Sequence, residues 1–267
     1  MRTGGRTKTA LGRFRRPGGE TAFPHGPGGR AKGSTRGTGD ASLRPVVKRS
    51  QKPDARYAVL TGDIVDSRHL AGDQLDQVRA SLGEAVDEMR SWQRGLVRGK
   101  LAFFRGDSWQ LLLAHPGPAL RAAVFLRARL IASGLADTRL SVGIGTVENV
   151  TARNVTRSTG EAFSLSGEGL DAMKDPLRLA ISLSPADPCP AGLFSVVGKL
   201  CDALMSEWTQ RQAEIVSLAA DPAGPIQETI AAALKPPVTR QAVSRSLSGA
   251  HWEAILATIR QFEKLSF

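Results

Sequence analysis

Tyr57-Ala58-Val59-Leu60-Thr61-Gly62-Asp63-Ile64-Val65-Asp66-Ser67-Arg68 is the stretch from which the fold can be read. Its first four residues are of strand-forming character, Thr61-Gly62 follow, and an aspartate precedes the polar exit at Asp66-Ser67-Arg68. An apolar strand of this kind delivers Asp63 at its end, where a sheet presents a ligand to solvent. The pattern recurs at Phe103-Phe104-Arg105-Gly106-Asp107-Ser108-Trp109, in which Gly106-Asp107 sits between two apolar runs and reads as a tight hairpin turn. If the two strands are neighbours, Asp63 and Asp107 meet at one sheet edge. Two close carboxylates repel unless a cation lies between them, and a divalent ion held this way, Mg2+ or Mn2+, grips the phosphates of a nucleotide. The plainer reading of each half is turn chemistry, since Gly supplies positive φ and Asp caps its own turn. Asp63 and Asp107 together, and neither alone, point to a metal.

Outward from this stretch, a helix is predicted over Gly72 to Arg94, with Leu75, Val78, Leu82, Val86 and Met89 recurring every three or four residues. Lys100 to Arg105 and Ser108 to Ala114 form the hairpin. Pro116 and Pro118 open a second helix, Ala119 to Ser133, and Leu140 to Thr146 is the next strand. The order β-α-β-β-α-β is that of a ferredoxin-like split βαβ unit, a sheet with two helices on one face. Glu148 to Thr159 is polar and turn-rich, Gly160 to Met173 reads as a helix, and Leu177 to Leu183 as a further strand. The Pro-containing break at Ser184 to Pro190 marks a domain boundary. The expected layout is a tail over 1–54, an α+β domain over 55–190, a connector helix over 191–207 and an all-α domain over 208–267.

Charge is unevenly placed. Residues 1–54 hold 13 of the 36 Lys and Arg and only 3 of the 25 Asp and Glu, so +10 of the net +11 lies in the tail. That segment also holds 11 of the 28 glycines and lacks hydrophobic periodicity, so it is expected to be disordered. It reads either as a basic arm for a phosphate backbone or as an upstream extension without a role, and the second is favoured. Cys189 and Cys201 are too few and too far apart for a zinc site. No apolar run approaches a membrane span, and the Arg-rich start has no apolar core of a secretory signal. A cytoplasmic protein with no membrane partner is expected.

With these residues in view, 57–183 resembles the palm domains of class III nucleotidyl cyclases, and most of all the SatD family. The resemblance is carried by Asp63-Ile64-Val65 at the first strand's end, by Gly106-Asp107 in the hairpin, by Ser141-Val142-Gly143-Ile144-Gly145 and by Gly160-Glu161-Ala162. It implies that Asp63 and Asp107 bind divalent ions. It also implies that backbone around Ile64, Val65, Asp66 and Ser67, with Gly106, receives a nucleotide's phosphates. An active cyclase of this class places Asn and, four residues on, Arg in the helix after Gly160, where this chain has Ser164 and Glu168. The purine-selecting lysine is replaced by Phe103. Loss of the charge-stabilising arginine removes several powers of ten in rate, so the resemblance implies a nucleotide sensor with no catalytic residue.

Residues 208–267 carry a second pattern. Thr209 caps a helix, Ile226 to Leu234 is a short helix, Lys235-Pro236-Pro237 breaks it, and Thr239 caps Arg240-Gln241-Ala242-Val243-Ser244-Arg245-Ser246-Leu247-Ser248. This resembles the helix-turn-helix modules of bacterial regulators, whose second helix enters the major groove of double-stranded DNA. Lys235, Thr239, Arg240, Gln241, Ser244 and Arg245 would form the DNA face, with Arg and Gln able to reach guanine and adenine edges. No acid falls between Thr229 and Trp252, so Lys235, Arg240 and Arg245 are expected to be unopposed. The competing reading is a dimerisation bundle, because residues 205–267 hold 6 basic and 6 acidic residues. The last helix, Trp252 to Leu265, either completes the core or pairs with a second subunit as a homodimer. The leading expectation is a nucleotide-sensing DNA-binding regulator. The alternative is an active nucleotidyl cyclase or nucleotidyltransferase, revived by Arg153, Asn154 or Arg157 reaching the site.

Overall fold

The computed structural model describes residues 55–148, 158–185 and 190–267. The tail over 1–54 and the trio Arg153, Asn154 and Arg157 lie outside the described residues.

β1 (Arg56–Ile64) is the central strand of a five-stranded sheet. Around it lie β2 (Val97–Phe104), β3 (Ser108–Leu113), β4 (Thr138–Thr146) and β5 (Leu179–Leu183), in the order β2-β3-β1-β4-β5. β1 is antiparallel to both β3 and β4, β2 is antiparallel to β3, and β5 runs parallel to β4. With α1 (Gly72–Trp92) and α2 (Ala119–Ser133), the first four strands give the ferredoxin-like β-α-β-β-α-β order.

The period of two in the strands decides what each face buries. Ala58, Leu60, Leu111, Leu113, Val142 and Ile144 point into the large core shared with α1 and α2. Val59 and Leu112 point the other way, where they meet Ala162 of α3 (Glu161–Asp171). The sheet is thus covered on both faces, whereas the sequence reading placed two helices on one face. Glycine makes the second cover fit. A Cβ on Gly143 would lie 2.3 Å from the Ala162 carbonyl oxygen, so α3 backbone rests directly on β4.

The hairpin between β2 and β3 turns through Arg105, Gly106 and Asp107. Arg105 (φ 53°) and Gly106 (φ 91°) both take the left-handed region, so the turn sits one residue earlier than Gly106-Asp107 alone suggests. Arg79 of α1 pins the tip by donating to the Gly106 carbonyl, with Nε at 3.1 Å.

Five more helices follow among the described residues: α4 (Ala191–Ser206), α5 (Gln210–Ala219), α6 (Gln227–Ala233), α7 (Arg240–Gly249) and α8 (Trp252–Phe262). Both predicted threonine caps are present. Thr209 Oγ1 accepts from the Gln212 amide at 3.2 Å while Gln212 Oε1 accepts from the Thr209 amide at 2.9 Å, and Thr239 Oγ1 accepts from the Ala242 amide at 3.2 Å. α2 is buried nearly all round, including Arg121 and Arg127, because α5 packs on the side turned away from the sheet. Side-chain bonds tie the same layers together: Gln210 Nε2 donates to the Ala132 carbonyl at 2.9 Å, and Arg121 forks Glu263 at 2.6 and 3.1 Å. The connection between the halves is therefore broader than the α4 helix expected from the sequence. One apolar cluster runs from Leu60 and Phe125 to Ile215, Trp252 and Ile259, and each buried Leu, Ile or Phe in it contributes roughly 1.5–3 kcal/mol.

Arg127 is 1% exposed and holds three elements at once. Its Nε and Nη2 donate to Asp137 at 2.9 and 2.8 Å, Nη1 donates to Asp202 of α4 at 2.6 Å, and Nη2 also reaches Ser206 Oγ at 3.1 Å. Asp137 in turn accepts the Val65 amide on its carbonyl at 2.9 Å, and Asp202 accepts the Arg178 amide at 3.2 Å. Burial holds the Asp202 carboxyl above the usual aspartate range, against the pull of Arg127. The neighbouring Cys201 thiol is pushed up to about 11 by burial, then by Asp202, which leaves it protonated and structural.

Candidate functional site

The C-terminal end of β1 and the hairpin tip share one cavity of about 550 Å³. It is lined by the run from Asp63 to His69, by Asp107 and Arg139, and by Asp175 and Arg178. Register explains the convergence: Asp63 lies opposite Ser108 in β3 and opposite Arg139 in β4. The strand end is fixed from beneath. Trp109 Nε1 donates to Thr138 Oγ1 at 3.1 Å, and Thr138 Oγ1 donates to the Asp63 carbonyl at 2.6 Å. Gly62 has no side chain because the Trp109 ring occupies the space, at 2.5 Å from where a Cβ would stand.

The two aspartates predicted as metal ligands do share this cavity, yet their environments differ. Both carboxylate oxygens of Asp63 are held by Arg139, Oδ1 by Nε at 2.9 Å and Oδ2 by Nη2. This hydrogen bond with Asp63 is the main cause that holds the Arg139 guanidinium above its already high ordinary value, and Asp175 and Asp107 add to it. Asp107 has hydroxyl partners instead: Ser67 Oγ donates to Oδ2 at 2.6 Å, and Ser108 Oγ lies 3.4 Å from Oδ1. Arg178 donates to Asp175 at 2.6 Å and is the first cause of that exposed carboxyl's lowered pKa.

Not all of the expected phosphate cradle is open. The Ile64 amide donates to the Asp107 carbonyl at 3.1 Å and the Val65 amide to the Asp137 carbonyl at 2.9 Å, so these two amides hold the strand end. Asp66 takes the left-handed region (φ 54°), and a short 3-10 turn over Ser67–His69 follows it. Gly106 shapes the hairpin, and its carbonyl is engaged by Arg79. Phe103 is partly buried against the core with Arg79 6.0 Å from its ring centroid, and neither it nor Ser164 and Glu168, both exposed on α3, lines the cavity. The sequence reading missed Arg68, His69, Arg139, Asp175 and Arg178. Arg139 was within reach, since antiparallel pairing of the two strands sets it beside Asp63.

A divalent ion can be tested against this donor set. Among the described residues no group of three or more His, Cys, Asp or Glu stands ready to enclose an ion. Mg2+, however, is usually held by one or two carboxylates with ligand phosphates and water completing its shell. Asp107, which lacks a cationic partner among its hydrogen bonds, and Asp63 suit that role when phosphate is present. The residues fit a metal carried in with a phosphate.

The predicted DNA face is exposed throughout: Lys235, Thr239, Arg240, Gln241, Ser244 and Arg245 all lie at the surface of α7 or the turn before it. Arg240 is not unopposed, for its Nε lies 3.1 Å from Glu228 Oε1 of α6. The acid-free window begins just after Glu228, and the turn between α6 and α7 brings that residue back. No helix among the described residues is long and apolar enough to cross a membrane.

No family model matches the chain, and no curated protein matches it. Among solved structures it is similar to a bacterial light-regulated adenylyl cyclase, with 12% identity, 48% of this chain and 43% of that one covered, and a TM-score of 0.36. The chain thus spans less than half the length of that structure. It is also similar to the guanylyl cyclase Cya2, with 18% identity, 48% of this chain and 74% of that one covered, and a TM-score of 0.33.

Proposed function

We propose that the cavity at the end of β1 binds a nucleotide together with a divalent ion, and that the α6–α7 segment contacts double-stranded DNA, making the chain a nucleotide-sensing regulator. The observation that carries this reading is the convergence of Asp63, Asp107, Arg139 and Arg178 on one cavity. Asp63 and Asp107 would hold Mg2+ or Mn2+, which would neutralise phosphate charge. Arg139 and Arg178 offer planar guanidinium donors suited to phosphate oxygens, and Ser67 offers a hydroxyl. Arg68 and His69, both exposed, also line the cavity. On the DNA side, Arg245, Gln241 and Ser244 are exposed on α7, and its N-terminus is capped by Thr239. The reading of 208–267 as a helix-turn-helix domain, of 191–207 as its connector and of the sheet as a SatD-like palm belongs to this proposal.

Arg139 and Arg178 also favour a second reading. Guanidiniums inside a phosphate site can stabilise charge in phosphoryl transfer, so the chain would be an active cyclase or nucleotidyltransferase even with Ser164 and Glu168 on α3. One experiment separates the two. The purified chain is incubated with each nucleoside triphosphate and Mn2+, and bound and converted material are analysed. Retention of unchanged nucleotide supports the sensor, turnover supports the enzyme, and neither binding nor turnover overturns both.

A further inference from the structure

Arg139 already neutralises Asp63 in the cavity that Asp107 also lines. It takes both oxygens of Asp63, while Asp107 and Asp175 also bear on its charge. A divalent ion arriving alone would have to break a two-bond fork and then sit beside the displaced guanidinium, which repels it. A phosphate changes that balance because it gives Arg139 a new planar partner and supplies oxygens to the ion. Room to move is present: the Arg139 side chain is 32% exposed and lines the cavity.

We propose that Arg139 makes divalent-ion binding at Asp63 and Asp107 conditional on phosphate, so that the site rejects the bare ion and takes the ion and the phosphate as a unit. This rests on the nucleotide reading above and deepens it. By linkage, phosphate raises ion affinity by the same factor as the ion raises phosphate affinity, a coupling usually of about 5–150-fold.

The test measures Mn2+ binding to the full chain by electron paramagnetic resonance, alone and with pyrophosphate, in the natural protein and in Arg139→Gln. The natural protein is expected to bind bare Mn2+ weakly and to gain on adding pyrophosphate. Arg139→Gln is expected to bind bare Mn2+ at least about tenfold more tightly and to lose most of the gain, within the range such couplings span. Arg139→Lys keeps the charge without the fork, so it shifts the same way by a smaller factor and carries the test if the glutamine variant does not fold. Equal bare-ion affinity in the natural protein and the folded variants overturns the proposal. So does an absence of Mn2+ binding under every condition, and nucleotide binding that persists in EDTA would then leave the nucleotide pocket standing. Tighter Mn2+ in the variants, with no nucleotide bound by any of the proteins, would instead sink the nucleotide reading while keeping Arg139 as the ion's competitor.

Discussion

Gly143 meets Ala162 so closely that a methyl group on the glycine would stand 2.3 Å from the Ala162 carbonyl oxygen and 2.4 Å from the Ser166 amide nitrogen. Both neighbours are backbone, so neither can turn aside. Gly143→Ala is expected to force α3 off the sheet at a cost of at least about 2 kcal/mol. Gly167, on the same helix, has nothing within 4 Å of its missing Cβ, and Gly167→Ala should stabilise by roughly 0.5–1 kcal/mol. Urea midpoints for the pair of variants check the contrast, and equal midpoints would refute the close-approach argument.

The two site aspartates should respond differently to neutralisation. Asp63→Asn leaves Arg139 without its charged partner, and loss of a charge-assisted fork on a partly exposed pair is expected to cost about 1–2 kcal/mol. Asp107→Asn removes only hydroxyl contacts and should change stability little. Relief of repulsion, the expectation for a bare carboxylate pair, is thus replaced by loss of an attraction at Asp63. Both variants should lose divalent-dependent nucleotide binding. Denaturant midpoints and binding isotherms on the same samples decide the matter, and unchanged nucleotide affinity in both would rule out the metal pair.

At the other end of β1, Glu161 ties α3 to the sheet. It accepts from Ser184 Oγ and from the Thr146 amide at 3.3 Å, and Arg56 lies 3.3 Å away. The Ser184 hydrogen bond leads in holding its carboxyl below the ordinary glutamate value of 4.5. A depressed folded-state pKa gives stability that is present above the unfolded value and lost as pH falls through the folded one. Glu161→Gln should therefore be less stable near neutrality by about 1 kcal/mol, with the gap closing as pH falls from neutrality through the acid range. Urea unfolding across that range checks it, and a gap that widens toward acid would show the sign to be wrong.

On the proposed DNA face, Arg245→Ala is expected to weaken specific binding by roughly 1–3 kcal/mol if its guanidinium reads a base. Arg240→Ala should cost less, because in the free protein that side chain is already engaged by Glu228 and must exchange partners to bind. Glu228→Gln should then strengthen binding and steepen its salt dependence. Mobility shifts over a salt series measure all three, with nucleotide present and absent. A complete lack of DNA binding at low salt would leave α6 and α7 as packing elements.

Much of this architecture was legible in local chemistry. Pro116, Pro118 and the following apolar spacing bounded α2 over the same residues that the structure shows, and both capping threonines did what their side chains allow. The hairpin carrying Asp107 was readable from its glycine. What stayed hidden depends on which elements meet. The sequence Ser141-Val142-Gly143-Ile144-Gly145 gives two core-facing residues and two glycines, but nothing in it says that a helix presses on the glycine side. Arg139, one residue before the strand predicted from Leu140, went unread because its partnership with Asp63 exists only once β1 and β4 are aligned. Glu228 escaped notice for the same reason, since it lies outside the basic window in sequence and beside Arg240 in space. Pairing register and turn geometry, which propensity does not encode, account for each of these.

Arg127 has a further consequence for how the chain comes apart. Its guanidinium is satisfied only when α2, the residue before β4 and α4 are all in place, since Asp137 supplies one side and Asp202 the other. A polypeptide ending at 190 would strip Asp202, Ser206 and the α5 cover from α2, and would open to water an apolar face that the shared core buries at roughly 1.5–3 kcal/mol per large side chain. Melting of the C-terminal helices therefore cannot precede melting of the sheet by much. Residues 55–267 are expected to unfold in one cooperative step, with tryptophan fluorescence and far-ultraviolet dichroism losing signal at the same temperature.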